Sequence, residues 1–87
     1  MVSNINKYTL YEDAGHAWLE VPMIELRWLD IADKISQYSY RKGKMAYLEE
    51  DSDWTKFHIA LKEKGKEYEV DRVFHDESPV RGYRSYC

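Results

Sequence analysis

Apolar and polar residues alternate in several short segments of the chain, a pattern typical of strands with one buried and one wet face. The clearest case is residues 16–21, where Ala17, Leu19 and Val21 share one face. Together with a strand over residues 7–11, this segment predicts an N-terminal hairpin. Gly15 lies in the turn, where a positive φ is inexpensive for glycine.

Apolar residues at spacings of three and four predict two helices. The first begins at Pro22, ends between Asp30 and Ser36, and carries one apolar stripe. The stripe consists of Ile24, Trp28, Ile31 and Ile35, and Leu26 and Leu29 widen it. The second helix has Trp54, Phe57 and Leu61 on one face and ends at Gly65; its cap is Asp51, Ser52 or Asp53.

Between and after these helices, three more strands are predicted. Residues 37–41 and 44–48 form a hairpin around Gly43, and residues 66–75 form the last strand. The order β-β-α-β-β-α-β predicts a single α+β domain over residues 1–87, with a mostly antiparallel sheet and two helices on one face. The other face should be wet and should offer its tyrosines and tryptophans to a partner. Residues 78–87 are expected to be a turn-rich tail.

Charge and composition narrow the possible functions. The formal charge of −3 argues against broad nucleic-acid binding, which needs many Lys and Arg to release counterions. No apolar run approaches the roughly 20 residues that span a bilayer. The only cysteine is Cys87, so no internal disulfide can form and a reducing, cytoplasmic setting is favoured. Aromatic residues make up 15% of the chain, which suits a thin core and an interface, in a monomer or a homodimer.

The candidate site is the junction of the second hairpin with the second helix. Carboxylates crowd the helix start, where the helix dipole favours them, so capping alone could explain their presence. We instead expect a partner-binding surface in which these acids and the hairpin tyrosines point outward, with Arg81 of the tail either folding back or reaching the partner. Its predicted members are Glu49, Glu50, Asp51, Asp53, Tyr38, Tyr40, Tyr47 and Arg81.

Two other functions remain open from the residues alone. The hairpin interleaves cations with tyrosines, as single-stranded nucleic-acid binders do; these residues are Tyr38, Tyr40, Arg41, Lys42 and Lys44. A metal-dependent hydrolase could use His16 and its neighbouring acids. The spacing of the histidines does not match a zinc motif, and we expect no metal, cofactor or catalytic residue.

Several stretches resemble a family of short proteins of bacteriophages and bacterial mobile elements. They are Tyr11-Glu-Asp-Ala-Gly-His-Ala-Trp-Leu-Glu-Val-Pro22, Ile35-Ser-Gln-Tyr-Ser-Tyr40, Tyr47-Leu-Glu-Glu-Asp-Ser-Asp53 and Ser78-Pro-Val-Arg-Gly-Tyr83. The resemblance implies a phage accessory protein, similar to anti-CRISPR proteins in size. It therefore favours a non-enzymatic protein that binds and inhibits a host defence complex by docking the acids and tyrosines on a basic nucleic-acid channel.

Overall fold

The computed structural model describes residues 6–87, so the first five residues of the expected domain lie outside the described part. Within it, one 6-stranded sheet is covered by two α-helices on one face. The strands are β1 (Asn6–Glu12), β2 (Ala17–Pro22), β3 (Tyr40–Lys42), β4 (Met45–Glu49), β5 (Tyr68–Phe74) and β6 (Arg84–Ser85). The helices are α1 (Met23–Trp28) and α2 (Asp53–Glu63), with short 3-10 helices at Ala32–Lys34 and Pro79–Gly82.

The strand order β5-β1-β2-β4-β3-β6 confirms the α+β architecture and both predicted hairpins. Every neighbouring pair is antiparallel except β1 and β5, which are parallel. That parallel pair places β5 beside β1 at one edge of the sheet, and the chain passes from β4 to β5 through α2. The two-residue β6 was not predicted; it extends the sheet beyond β3.

The helix-covered face of the sheet holds the main aliphatic core. Leu10, Leu19 and Leu48 lie side by side on β1, β2 and β4. Phe57 and Leu61 of α2 join the same buried cluster, 0% and 2% exposed. Burying a side chain of this size stabilises the fold by about 1.5–3 kcal/mol relative to leaving it exposed, so this layer supplies most of the stability.

The helix α1 is shorter than the spacing indicated, and the predicted stripe is wrong for Ile24 and Trp28. Asp30 takes a left-handed φ of 61° and ends the helix in a Schellman arrangement, in which the Ile31 N–H donates to the Leu26 carbonyl at 3.0 Å. Ile24 and Trp28 are 71% and 56% exposed. Leu26 and Leu29 of the predicted stripe are buried, together with Met23, while Ile31 and Ile35 are buried from outside the helix.

The opposite face of the sheet is not wet, which corrects the expectation that this face would offer its tyrosines and tryptophans to a partner. Trp18, Tyr47 and Val80 form a separate buried cluster there, flanked by other aromatic side chains. Val80 belongs to the 3-10 helix of the tail, whose first turn is capped by the Ser78 hydroxyl accepting from the Val80 N–H at 3.3 Å. The tail is thus an ordered cover for the aromatic face and not a loose appendage.

Candidate recognition site

Asp53 is the largest departure from the predicted surface, because its carboxylate is fully buried. Oδ2 accepts hydrogen bonds from the Ser36 hydroxyl at 2.6 Å and the Ser39 hydroxyl at 2.5 Å, and both oxygens accept from the Ser36 N–H. Lys56 Nζ completes the group at 2.9 Å from Oδ1. Burial raises the pKa of Asp53, but these hydrogen bonds outweigh it and the net pKa lies below the usual value. Asp53 is an internal anchor and not a docking acid.

The anchor fixes the segment that carries Tyr38. The Tyr38 N–H donates to the Ser36 hydroxyl at 3.2 Å, and the Glu49 N–H donates to the Ser39 hydroxyl at 2.9 Å. One buried carboxylate therefore joins residues 36–39, the end of β4 and the start of α2. The Tyr38 ring itself is 66% exposed, as predicted. The result is an exposed aromatic side chain on a hydrogen-bonded backbone.

The remaining acids divide into one enclosed and two outward residues. The Glu49 side chain is only 12% exposed. Its Oε1 accepts from the Asp51 N–H at 3.0 Å and from the Ser52 hydroxyl at 3.1 Å. Ser52 is the N-cap residue of α2, which is one of the three predicted positions, but its side chain makes no capping hydrogen bond to the helix. Glu50 and Asp51 are exposed, as expected of a docking surface.

The predicted tyrosines are also split between surface and interior. Tyr47 is 6% exposed, so its expected outward display is wrong. Its hydroxyl donates to Glu20 Oε2 at 2.9 Å, and burial together with this carboxylate raises the tyrosine pKa. Tyr83 of the tail packs on the Tyr47 ring with 4.9 Å between centroids. Tyr40 is half-buried and meets Trp18 edge-on at 6.0 Å.

Arg81 of the tail is held on the aromatic face by a partner that the sequence reasoning missed. Its Nε and Nη2 lie 2.6 and 3.0 Å from the two carboxylate oxygens of Asp13. This bidentate pair, helped by the backbone N–H groups of Gly15 and His16, holds the pKa of Asp13 far below its usual range. The guanidinium also lies over the Trp18 ring, 5.2 Å from its centroid. Arg81 thus folds back, but onto Asp13 and not onto the predicted acids.

These elements enclose a small cleft of about 200 Å³. The cleft brings together four of the predicted site residues, Tyr38, Tyr40, Glu49 and Arg81. His16, Trp18 and Gln37 complete its lining. Each stretch that carries the sequence resemblance contributes to this lining, so segments distant along the chain meet at one place.

Two polar groups of this cleft stand out. His16 is half exposed, and its Nδ1 lies 3.7 Å from Glu49 Oε2. The Trp18 ring is 2% exposed, and its indole N–H is the one buried side-chain polar atom without a hydrogen-bond partner among residues 6–87. An unpartnered buried donor is uncommon in folded proteins. No feature of the sequence indicated this unpaired indole N–H, because the alternation pattern reports burial and not hydrogen bonding.

The hydrolase alternative gains no support from the geometry. In the described part of the chain, no group of three or more His, Cys, Asp and Glu side chains is placed to hold a metal ion. His16 has Glu49 beside it, but the Glu49 carboxylate already accepts from the Ser52 hydroxyl, and the Ser39 hydroxyl donates to Asp53. The hydrolase therefore stays a prediction without a supporting site.

Comparisons with known protein families, with curated proteins and with solved structures found no match to this chain. In the region that the structure describes, none of the helices has the length and apolar character needed to cross a membrane. The resemblance described above consequently remains an expectation.

Proposed function

We propose that this is a non-enzymatic binding protein that docks on a basic surface of a bacterial nucleic-acid-handling defence complex and inhibits it. The docking surface consists of Tyr38, Glu50 and Asp51, together with the rim of the adjoining cleft. The observation that carries the proposal is the exposed Tyr38 ring on a backbone fixed by the buried Asp53 anchor. An exposed ring on a fixed backbone is suited to binding a partner.

The fixed backbone of segment 36–39 lowers the cost of ordering a loop when a partner binds. Association loses affinity for every side chain and loop that must be immobilised at the interface. Segment 36–39 is already held by the hydrogen bonds of Asp53, so less of this cost falls on the binding step. Tyrosine is among the residues that supply most of the binding energy in protein interfaces. Tyr38 is therefore the expected centre of the contact.

The exposed carboxylates beside this segment favour a basic partner. Glu50 and Asp51 are exposed, and neither forms a salt bridge with any residue in 6–87. Carboxylates of this kind complement the Arg and Lys side chains with which a protein holds phosphates, and such complementarity speeds association and selects the partner. A CRISPR effector has this type of channel, and the phage setting implied by the resemblance supports it as the target class.

A plasmid-interference assay tests the proposal. Cells that express a CRISPR effector and guide lose a targeted plasmid, and co-expression of the protein should restore its transformation. The double variant Glu50→Lys/Asp51→Lys should lose this protection, because the reversed charges would repel a basic channel. Its stability should stay within about 1–2 kcal/mol of the wild type, since both side chains are on the surface.

The matched control reverses two exposed acids elsewhere, Glu63→Lys and Glu67→Lys, at the far end of α2 and just beyond it. This control carries the same change in net charge and should keep full protection. Undiminished protection by Glu50→Lys/Asp51→Lys, or unhindered plasmid loss with the wild-type protein across the effector types, would overturn the proposal.

A further inference from the structure

A second cleft lies at the edge of the sheet, where the turn between β3 and β4 meets the tail. Its volume is about 540 Å³, within the range of roughly 300–1,000 Å³ found for small-ligand sites. Its lining includes Arg41, Lys42, Pro79, Tyr83 and Arg84. We call it the basic cleft, because positive side chains dominate it although the whole chain is acidic.

The positive charges of the basic cleft have no counter-charge in the fold. Arg41 and Arg84 are direct cross-strand partners in the β3–β6 pair, an arrangement of like charges that destabilises a sheet. Neither arginine, nor Lys42, forms a salt bridge with a residue of the described range 6–87. Other arginines of the chain, Arg72 and Arg81, do have carboxylate partners. The cleft therefore offers unpaired positive charge to an external anion.

The aromatic side chain of the cleft adds a second feature. Lys42 Nζ lies 4.8 Å from the centroid of the Tyr83 ring, and this ring is anchored on Tyr47 of the aromatic face. Cations that follow a backbone next to an aromatic ring are the elements by which proteins hold single-stranded nucleic acids. A duplex would need a broad basic stripe, which a chain with net charge −3 does not offer.

We propose that the basic cleft binds the sugar–phosphate backbone of a single-stranded nucleic acid. Arg41 and Arg84 would donate to phosphate oxygens in forked pairs, and Lys42 would act as a point charge beside Tyr83. The geometry also relocates the site suggested by the hairpin sequence, because Tyr38 and Tyr40 line the other cleft. This inference does not depend on the proposed docking of Tyr38, and either could fail alone.

Fluorescence polarisation of a short labelled oligothymidylate tests it. With about three phosphate contacts on a single strand, the logarithm of the binding constant should fall with the logarithm of salt concentration with a slope of about −2. Raising salt from about 50 to 200 mM should therefore weaken binding about fifteenfold. The variant Arg41→Ser/Arg84→Ser should bind at least about tenfold more weakly and show a slope near −0.7.

The control variant Lys34→Ser/Lys62→Ser removes the same charge outside the cleft and should bind within about twofold of the wild type. Melting curves establish that both variants are folded. Absence of binding at low salt, or equal weakening in the control, would overturn the proposal. Equal competition by poly-glutamate would also overturn it and assign the cleft to an acidic protein segment.

Discussion

The two faces of the sheet bury different kinds of side chain and are covered by different elements. The helix-covered face is packed with leucines and Phe57 and is closed by two helices. The opposite face is aromatic, and one short tail segment around Val80 covers it. Polar atoms occur throughout this second layer, such as the Tyr47 hydroxyl and the Trp18 indole N–H. The helix-covered layer therefore supplies most of the apolar burial, while the rim of the aromatic layer carries exposed groups of the proposed docking surface.

The largest expected effect separates the two layers by stability. Phe57→Ala should lower the free energy of unfolding by about 3–5 kcal/mol, because it opens a cavity in a fully buried core. Val80→Ala should lower the free energy of unfolding by about 1.5–2 kcal/mol, because it removes two methyl groups from the short tail segment that covers the aromatic face. Urea unfolding measures both. Ile59→Ala, at a position 53% exposed on the same helix as Phe57, is the control and should change little; equal losses at Phe57 and Val80 would erase the distinction.

A smaller effect on stability is expected from Asp53, the buried anchor. Asp53→Asn should lower the free energy of unfolding by about 3 kcal/mol, because a buried ionised acceptor of several hydrogen bonds is lost. Amide hydrogen exchange at Ser36 and Tyr38 should become faster, since their segment loses its fixed point. Asp51→Asn, on the exposed neighbour, should affect neither measurement. Unchanged exchange at Tyr38 in the Asp53 variant would refute the idea of a fixed recognition segment.

The same anchor predicts a dependence on pH. The pKa of Asp53 is lowered in the folded state, so its contribution to stability is complete above the unfolded-state pKa of about 3.9 and is lost as pH falls from there through the folded pKa. Asp13 acts in the same direction. Acid unfolding of Asp53→Asn should therefore be less steep below about pH 4 than that of the wild type, with the remaining slope due to Asp13. Parallel curves would contradict this role.

The smallest effect concerns the cover of the aromatic layer. Arg81→Ala should raise the pKa of Asp13 towards its ordinary value, because the guanidinium is the main cause of the lowering. Emission from Trp18 should shift to longer wavelength as the stacked guanidinium is removed. Carboxyl titration by NMR and fluorescence measure these changes. Arg72→Ala, which breaks the pair with Glu12 instead, should leave both unaltered.

Patterns in the sequence predicted the strands and helices that depend on residues close together along the chain. The alternation over residues 16–21 and the spacing of Phe57 and Leu61 correctly indicated β2 and α2. The spacing around Ile24 misled, because it does not reveal that Asp30 ends the helix in a left-handed conformation. The spacing of apolar residues carries no information on whether Asp30 adopts a left-handed conformation.

Long-range contacts explain the remaining errors. Asp53 stands in an acidic run that is typical of a solvated helix start, and its burial depends on Ser36, which is 17 residues away. The tail contains turn residues, and its role depends on Val80 meeting Trp18 across the molecule. The acids and tyrosines were thus found by composition, while their division into anchors and exposed groups required the fold.

The proposed function requires that Tyr38 binds a partner and does not stabilise the fold. Two exposed aromatic residues offer a matched test, since Tyr38 is 66% exposed and Phe74 on β5 is 62% exposed. Both alanine variants should unfold within about 0.5 kcal/mol of the wild type. In biolayer interferometry against the effector that the plasmid assay identifies, Tyr38→Ala should weaken binding by at least about 2 kcal/mol, roughly thirtyfold, while Phe74→Ala binds normally. Wild-type affinity of Tyr38→Ala would contradict the account.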